Sequence, residues 1–250
     1  MFDFNLNGKL ASENGVYVIR RPDIPTRKRR TELITVPGMD GAFVKDSENY
    51  EPIAFSIECN FMSSSPDTFW KECEKIRCWL FSQQQSFLTF NDSEEIGYKT
   101  LTIQPSDITR TSKRIGVFTI DINCQPFPYF VSGQSQITVA DNDVLTWPGK
   151  RYYQSTPTSF PIYELNGAGE WKIEVNGLQI FYYSFEMSLE EDKATIDTEK
   201  QLIFNQYGHD IGTAINRGDI SDLVFGKRNK INISAPSGGI LKITPNWRTF

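Results

Sequence analysis

The sequence predicts a mainly β protein with one long helix, and three observations carry that prediction. Two stretches alternate apolar and polar residues with period two, two others carry turn residues between strand-like runs, and only one segment has helical periodicity. In "IAFSIEC", Ile53, Phe55, Ile57 and Cys59 alternate with Ala54, Ser56 and Glu58, the pattern of a strand with one buried face. "VFTIDIN" repeats it with Phe118, Ile120 and Ile122. Asn176-Gly177 stands between "WKIEV" and "LQIFYY", the signal of a type I′ hairpin, because both residues tolerate positive φ. "NKINISA", "PSGG" and "ILKITP" read as a second hairpin with a longer loop.

The helical segment is "SPDTFWKECEKIRCWLFSQ". Ser65 is placed as its N-cap, Pro66 at the first helical position and Asp67 in the first turn, where a negative charge meets the positive end of the helix dipole. Phe69, Cys73, Ile76 and Leu80 recur at spacings that put them on one stripe. Trp70 and Trp79 are expected to widen it, so the helix should lie on a sheet. A polar join, Ser132 to Ser135, follows "PYF", and a chain of 250 residues is long enough for two cores. The expected division is residues 1–132 and 133–250.

The charge balance argues against a nucleic-acid binder. The run "RRPDIPTRKRR" holds six of the 26 bases and one of the 31 acids, which leaves 20 bases against 30 acids elsewhere. Binding by counterion release needs one base for each phosphate, over a face wider than one loop. No window reaches the ~18 consecutive apolar residues of a membrane helix, and "MFDFNLNGKLASENG" has no apolar signal core, so assembly in a cytoplasm is expected, without membrane insertion. Cys59, Cys73, Cys78 and Cys124 form no disulfide or zinc spacing. Five residues apart on a helix, Cys73 and Cys78 would point about 140° apart, so buried free thiols are expected. The sequons at Asn91 and Asn232 read as chance.

No catalytic residue, metal ligand or cofactor is assigned. The single histidine, His209 in "YGHD", reads as a turn residue; an adjacent Asp210 does not make a dyad. Glu190, Glu191 and Asp192 in "LEEDK" read as a solvated turn and not as a glycosidase pair. Trp171, Phe181, Tyr182 and Tyr183 are read first as core and cross-strand pairs, with a sugar platform as the minority reading.

Six stretches in order, "ITVPGMDGAFV", "YEPIAFSIECNF", the helix, "IDINCQPFPYF", "SFPIYELNGAGEWKIEVNG" and "IDTEKQLIFN" through "ITPNWR", resemble the distal tail proteins of long-tailed bacteriophages. That resemblance implies an N-terminal β-rich belt domain with one α-helix and a C-terminal galectin-like β-sandwich. It implies a homo-hexamer or double hexamer, a ring hub between the tail tube and the tail tip or baseplate, with a channel for DNA, at the distal end of the virion tail. The partners implied are the tail-tube protein, a tail-tip or tail-associated lysin hub protein, and receptor-binding or baseplate proteins. The histidine-containing sugar motif of galectins is absent, since Asp210 and Ile211 follow His209. The alternative is a carbohydrate-binding module for the bacterial surface. Gly38, Asp40 and Gly41 are expected to form a tight turn, as are Asn176 and Gly177, with Asp40 bonding its own turn. Arg20, Arg21, Arg27, Lys28, Arg29 and Arg30, broken by Pro22 and Pro25, read either as an arm or hairpin tip meeting a neighbouring subunit or as a solvated loop.

Overall fold

The structure is a computed structural model that describes residues 2–149, 157–177, 181–185, 193–211 and 216–250, without side chains for 48, 181–185 and 216–217. The chain divides into two compact units, Met1–Pro128 and Tyr129–Phe250. The Ser132–Ser135 join is no loose linker. Val131–Gln134 is a 3-10 helix, the Asn246 N–H donates to the Gly133 carbonyl at 2.9 Å, and a side chain at Gly133 would meet the Trp247 backbone.

In the first unit the strands are β1 (Phe4–Leu6), β2 (Lys9–Leu10), β3 (Val16–Arg20), β4 (Arg29–Ile34), β5 (Phe43–Tyr50) and β6 (Ile53–Met62). After helix α1 (Phe69–Phe81) come β7 (Phe87–Phe90), β8 (Ser93–Pro105), β9 (Thr109–Arg110) and β10 (Ile115–Cys124). The main sheet runs β2-β1-β7-β8-β10-β6-β3, with β9 on β10. It curls, because Phe4 and Leu6 near one end and Val16 at the other enter the same core. The alternation in "IAFSIEC" and "VFTIDIN" holds throughout: Ile53, Phe55, Ile57, Cys59, Phe118, Ile120 and Ile122 are buried.

Helix α1 lies in the curl with Phe69, Cys73, Ile76, Trp79 and Leu80 buried. Phe69 meets Phe61 of β6 at a ring distance of 5.2 Å, and Trp79 stacks on Phe4 at 6.4 Å. Three details depart from expectation. The α-helix starts at Phe69 with Thr68 as its N-cap; Ser65 serves the turn in front, its Oγ accepting from the Thr68 N–H at 3.3 Å. Pro66 and Asp67 belong to that turn, because Glu72 is drawn forward to bond Ser64 and Thr68 and fixes the first α-helical turn after them. Trp70 does not widen the stripe: it is 58% exposed, one position off the buried face. Cys78 is likewise exposed, while Cys59, Cys73 and Cys124 are buried.

The second unit contains β11 (Tyr129–Phe130), β12 (Ile137–Val139), β13 (Val144–Thr146), β14 (Ile162–Asn166), β15 (Gly169–Val175) and β16 (Phe181–Phe185). They are followed by β17 (Lys193–Asp197), β18 (Leu202–Asn205), β19 (Asn216–Arg217), β20 (Arg228–Ser234) and β21 (Ile240–Thr244). Among the described residues β12 to β21 form two five-stranded sheets, β12-β21-β14-β17-β18 and β13-β20-β15-β16-β19, a sandwich-like arrangement. Tyr163 and Trp171 are fully buried, and each satisfies its polar end on a carbonyl: Tyr163 Oη on Leu223 at 2.6 Å, Trp171 Nε1 on Gly167 at 2.8 Å.

The second expected hairpin is overturned. β20 pairs with β13 and β15, whereas β21 pairs with β12 and β14, so "PSGG" crosses from one sheet to the other. The Gly239 N–H closes a turn on the Pro236 carbonyl at 2.8 Å, and a Cβ at Gly239 would stand 2.9 Å from the Trp171 ring. The indole therefore occupies the space under the crossover and glycine lets the backbone pass over it. The "WKIEV" hairpin partner is β16 as expected, with Trp171 opposite Tyr183 and Ile173 opposite Phe181.

Two measurements test this packing. Leu80→Ala should lower stability by about 2–5 kcal/mol in chemical denaturation, because the site is fully buried; a change below about 0.5 kcal/mol is the mark of a surface position. Burial pushes the Cys59 and Cys124 thiols up to about 12 and raises that of Cys73. At neutral pH a thiol reagent should therefore modify Cys78 alone in the native protein and all four cysteines in denaturant, counted by mass.

Candidate subunit interface

The basic run occupies the path from the end of β3 to the start of β4; all its bases but Arg27 are exposed, and four of them are paired within the chain. Arg20 pairs with Asp23 at 2.9 Å. Arg21 grips Asp92 with two nitrogens, at 2.6 and 3.4 Å, and its guanidinium lies over the Phe2 and Phe90 rings. The hydrogen bond to Asp92 raises its pKa. Arg27 donates to the Pro126 carbonyl at 2.8 Å beside the Phe127 ring, and its burial lowers its pKa. The Lys28 carbonyl accepts from Glu51, Arg29 pairs with Asp46 at 2.9 Å, and the Arg30 carbonyl accepts from Ser47. The run is thus the base of a ribbon and not its tip. Pro22 and Pro25 keep it extended, and the guanidiniums of Arg20, Arg21, Arg27 and Arg29 fasten it to its own chain.

The ribbon itself is β4 paired with β5, a two-stranded sheet separate from the main one. Its tip is the segment between them. The Met39 N–H bonds the Val36 carbonyl at 3.2 Å with Gly38 at φ 85°, which is a type II turn with Pro37 in its preferred place. Backbone, not the Asp40 carboxylate, closes that turn; Gly41 at φ 88° then turns the chain into β5. A side chain at either glycine would meet only open space.

Next to the turn, Ile34 faces Phe43 and Leu33 faces Val44 across the ribbon. Successive residues of a strand point to opposite faces, so each face carries one apolar pair. Leu33 is 70% exposed, Val44 64% and Phe43 57%, with Ile34, Val36 and Met39 also exposed. A two-stranded ribbon is marginal by itself, and this one spends its apolar residues on solvent. The signal was in the sequence: "LITVPGM" and "AFV" have no polar face, unlike "IAFSIEC".

The outer face of the main sheet is the opposite case. Ser56 and Glu58 stand opposite Asp121 and Thr119, and Thr102 and Gln104 opposite Asn123 and Asp121. Ser56 Oγ donates to Asp121 at 2.5 Å. These positions carry two carboxylates and no base.

The remaining candidates fall elsewhere. Asn176 and Gly177 have φ of 58° and 72°, as a type I′ turn requires. The hairpin pairs Ile173 with Phe181, and residues 178–180 of its connection lie outside those described. Glu190, Glu191 and Asp192 also lie outside the described residues. Trp171 is buried and unable to serve a sugar platform. His209 is an exposed turn residue whose N–H bonds the Asn205 side chain at 2.9 Å.

Comparison defines the class. Residues 16–124, from β3 through β10 and most of the first unit, match the Phage tail protein RIFT-related domain. The fold of the whole chain is more particular: it is that of the distal tail proteins. The chain is similar to the Dit (gp 19.1) protein of SPP1, described as a paradigm of the hub adsorption apparatus in phages infecting Gram-positive bacteria. That likeness has a TM-score of 0.64 at 12% identity and covers 97% of this chain and 98% of that one. It is also similar to a chain of the phage P2 baseplate in its activated conformation with Ca, with a TM-score of 0.52 at 13% identity over 97% of both chains. No curated protein sequence matches the chain. The resemblance read from the six stretches therefore holds for the domain family and for the fold.

The pairing of the basic run within the chain has a measurable consequence. Arg27→Ala removes a partly buried charged hydrogen bond and should cost about 1.5–3 kcal/mol in denaturation, whereas Arg30→Ala, on the exposed ribbon, should change stability by less than about 0.5 kcal/mol.

Proposed function

We propose that the chain is a structural, non-enzymatic tail protein that assembles into a hexameric ring, or two such rings, as the hub joining the tail tube to the tail tip or baseplate. One observation carries this reading: the likeness to a hub protein extends through both units in order, over 97% of the chain, with the phage tail domain in the first. On this reading the first unit forms the belt and the second is a galectin-like sandwich. The tail-tube protein and a tail-tip or lysin hub protein are the neighbours, with receptor-binding or baseplate proteins attached further out. The assembled protein resides at the distal end of the virion tail after assembly in the host cytoplasm.

A central channel has to let DNA slide. Glu58 and Asp121 make part of the outer face acidic, and Arg20, which stands opposite Glu58 across the β3–β6 ladder, is already paired with Asp23, which suits that requirement. The basic run does not oppose it, because four of its guanidiniums are already held by Asp23, Asp92, Asp46 and the Pro126 carbonyl.

Light scattering coupled to size exclusion, with and without tail-tube protein, should give six or twelve copies per particle. A monomer that persists with tube protein present would overturn the ring. In a DNA titration the wild type should bind negligibly at physiological salt. Tight binding with a steep salt slope would overturn the non-adhesive channel.

A further inference from the structure

We propose that Arg27 is a latch that couples the order of the ribbon base to the order of residues 125–128, the segment by which the chain leaves the first unit. The latch lies within one copy, so it stands or falls independently of the ring.

The exit segment is poor in backbone support. Pro126 and Pro128 carry no N–H, and the Gln125 N–H is bonded to the Lys99 carbonyl at 2.9 Å. Beyond that bond the segment depends on side chains. The Arg27 guanidinium supplies one hold: Nε donates to the Pro126 carbonyl at 2.8 Å, and the group lies 5.8 Å from the centre of the buried Phe127 ring. A charged donor makes a bond roughly twice as strong as a neutral one, and the ring face attracts the cation.

The ribbon base meets the same spot. Among the described residues β4 and β5 pair with each other and with no other strand. Tyr50, the last residue of β5 and the partner of Arg29, sets its ring edge-on to Phe127 at 4.9 Å. The Glu51 N–H bonds the Lys28 carbonyl at 2.9 Å, one residue after Arg27. Arg27 therefore stands where both strands of the ribbon begin, and its partner is the exit.

A third neighbour fixes the latch to the core. The Tyr98 hydroxyl on β8 is close enough to act on the Arg27 charge, and its ring stands edge-on to Phe55 and Phe90 at 6.1 and 6.3 Å. Of the three arginines that anchor the run, Arg21 holds Asp92 between β7 and β8, and Arg29 holds Asp46 inside the ribbon. Arg27 is the one bonded to the exit. Coupling between two sites is reciprocal, so loosening the exit must loosen the ribbon, and a contact that stiffens the ribbon must stiffen the exit.

Hydrogen–deuterium exchange on the full chain, read by mass on peptides covering residues 29–51 and 123–128, tests this. Arg27→Met removes the donor and keeps an apolar stem; Phe127→Leu acts at the exit alone and keeps an apolar side chain; Arg30→Ala is the control on the ribbon. Size exclusion at the concentration used verifies that all particles have the wild-type size, so that assembly does not alter exchange. Arg27→Met should speed exchange in both peptides at least about five-fold, the lower range of a coupling between sites. Phe127→Leu should speed exchange in the ribbon as well as at the exit, and Arg30→Ala should leave both as in the wild type. Peptides from β6 and β10 should be unchanged throughout. Loosening of one end alone in Arg27→Met, a ribbon unaffected by Phe127→Leu, or equal loosening of β6 and β10 overturns the latch.

Discussion

The register between β6 and β10 is the constraint on which the first unit depends. Ten residues of one strand, Ile53 to Met62, pair without interruption with Ile115 to Cys124 of the other. Because side chains alternate faces, a slip of one residue would move Ile57 and Ile120 into solvent and bring Glu58 and Asp121 onto the helix. Gly116 shows how tightly the pairing is fitted. It lies opposite Phe61, and a Cβ there would stand 2.3 Å from that ring. The missing side chain lets Phe61 lie across the ladder and reach Phe69 on α1, so the register also seats the helix.

The same backbone pairing serves two opposite economies. In the main sheet one face is spent on the core and the other on water. In the ribbon both faces carry apolar pairs and neither is covered within the chain. The difference lies in what flanks the strands: β6 and β10 have α1 on one side, while β4 and β5 are carried out of the sheet by an extended, proline-broken segment anchored at Arg21, Arg27 and Arg29. The basic run is thus a structural mount. Its charges hold the base in place while the tip remains available.

Legibility followed the range of the interactions. The period-two strands, the helix stripe and the Asn176-Gly177 turn are set by neighbours a few residues away, and they were readable. Sheet membership is not local: "NKINIS" and "ILKIT" have the hairpin pattern, yet Trp171, some seventy residues earlier, fills the space beneath Gly239 and the strands part into different sheets. The helix starts later than Ser65-Pro66 suggest, and Glu72 reaches back to accept hydrogen bonds from Ser64 and Thr68. The basic run misled for the same reason. Composition displays charge but not its partners, and Asp92 lies far along the chain from Arg21. The apolar tip was visible in "LITVPGM" but was outweighed by the arginines beside it.

The segment leaving β3 has one more consequence. Among the described residues β3 is the last strand of its sheet, paired on one side only, and it exposes Tyr17 and Ile19. Such an edge invites a stray strand from another molecule. Here the register shifts between Val18 and Arg20, two arginines follow, and Pro22 then removes a backbone donor. Bulge, charge and proline arrive together where an unwanted strand would extend the pairing. The start of the basic run thus stands where sheet edges are commonly blunted.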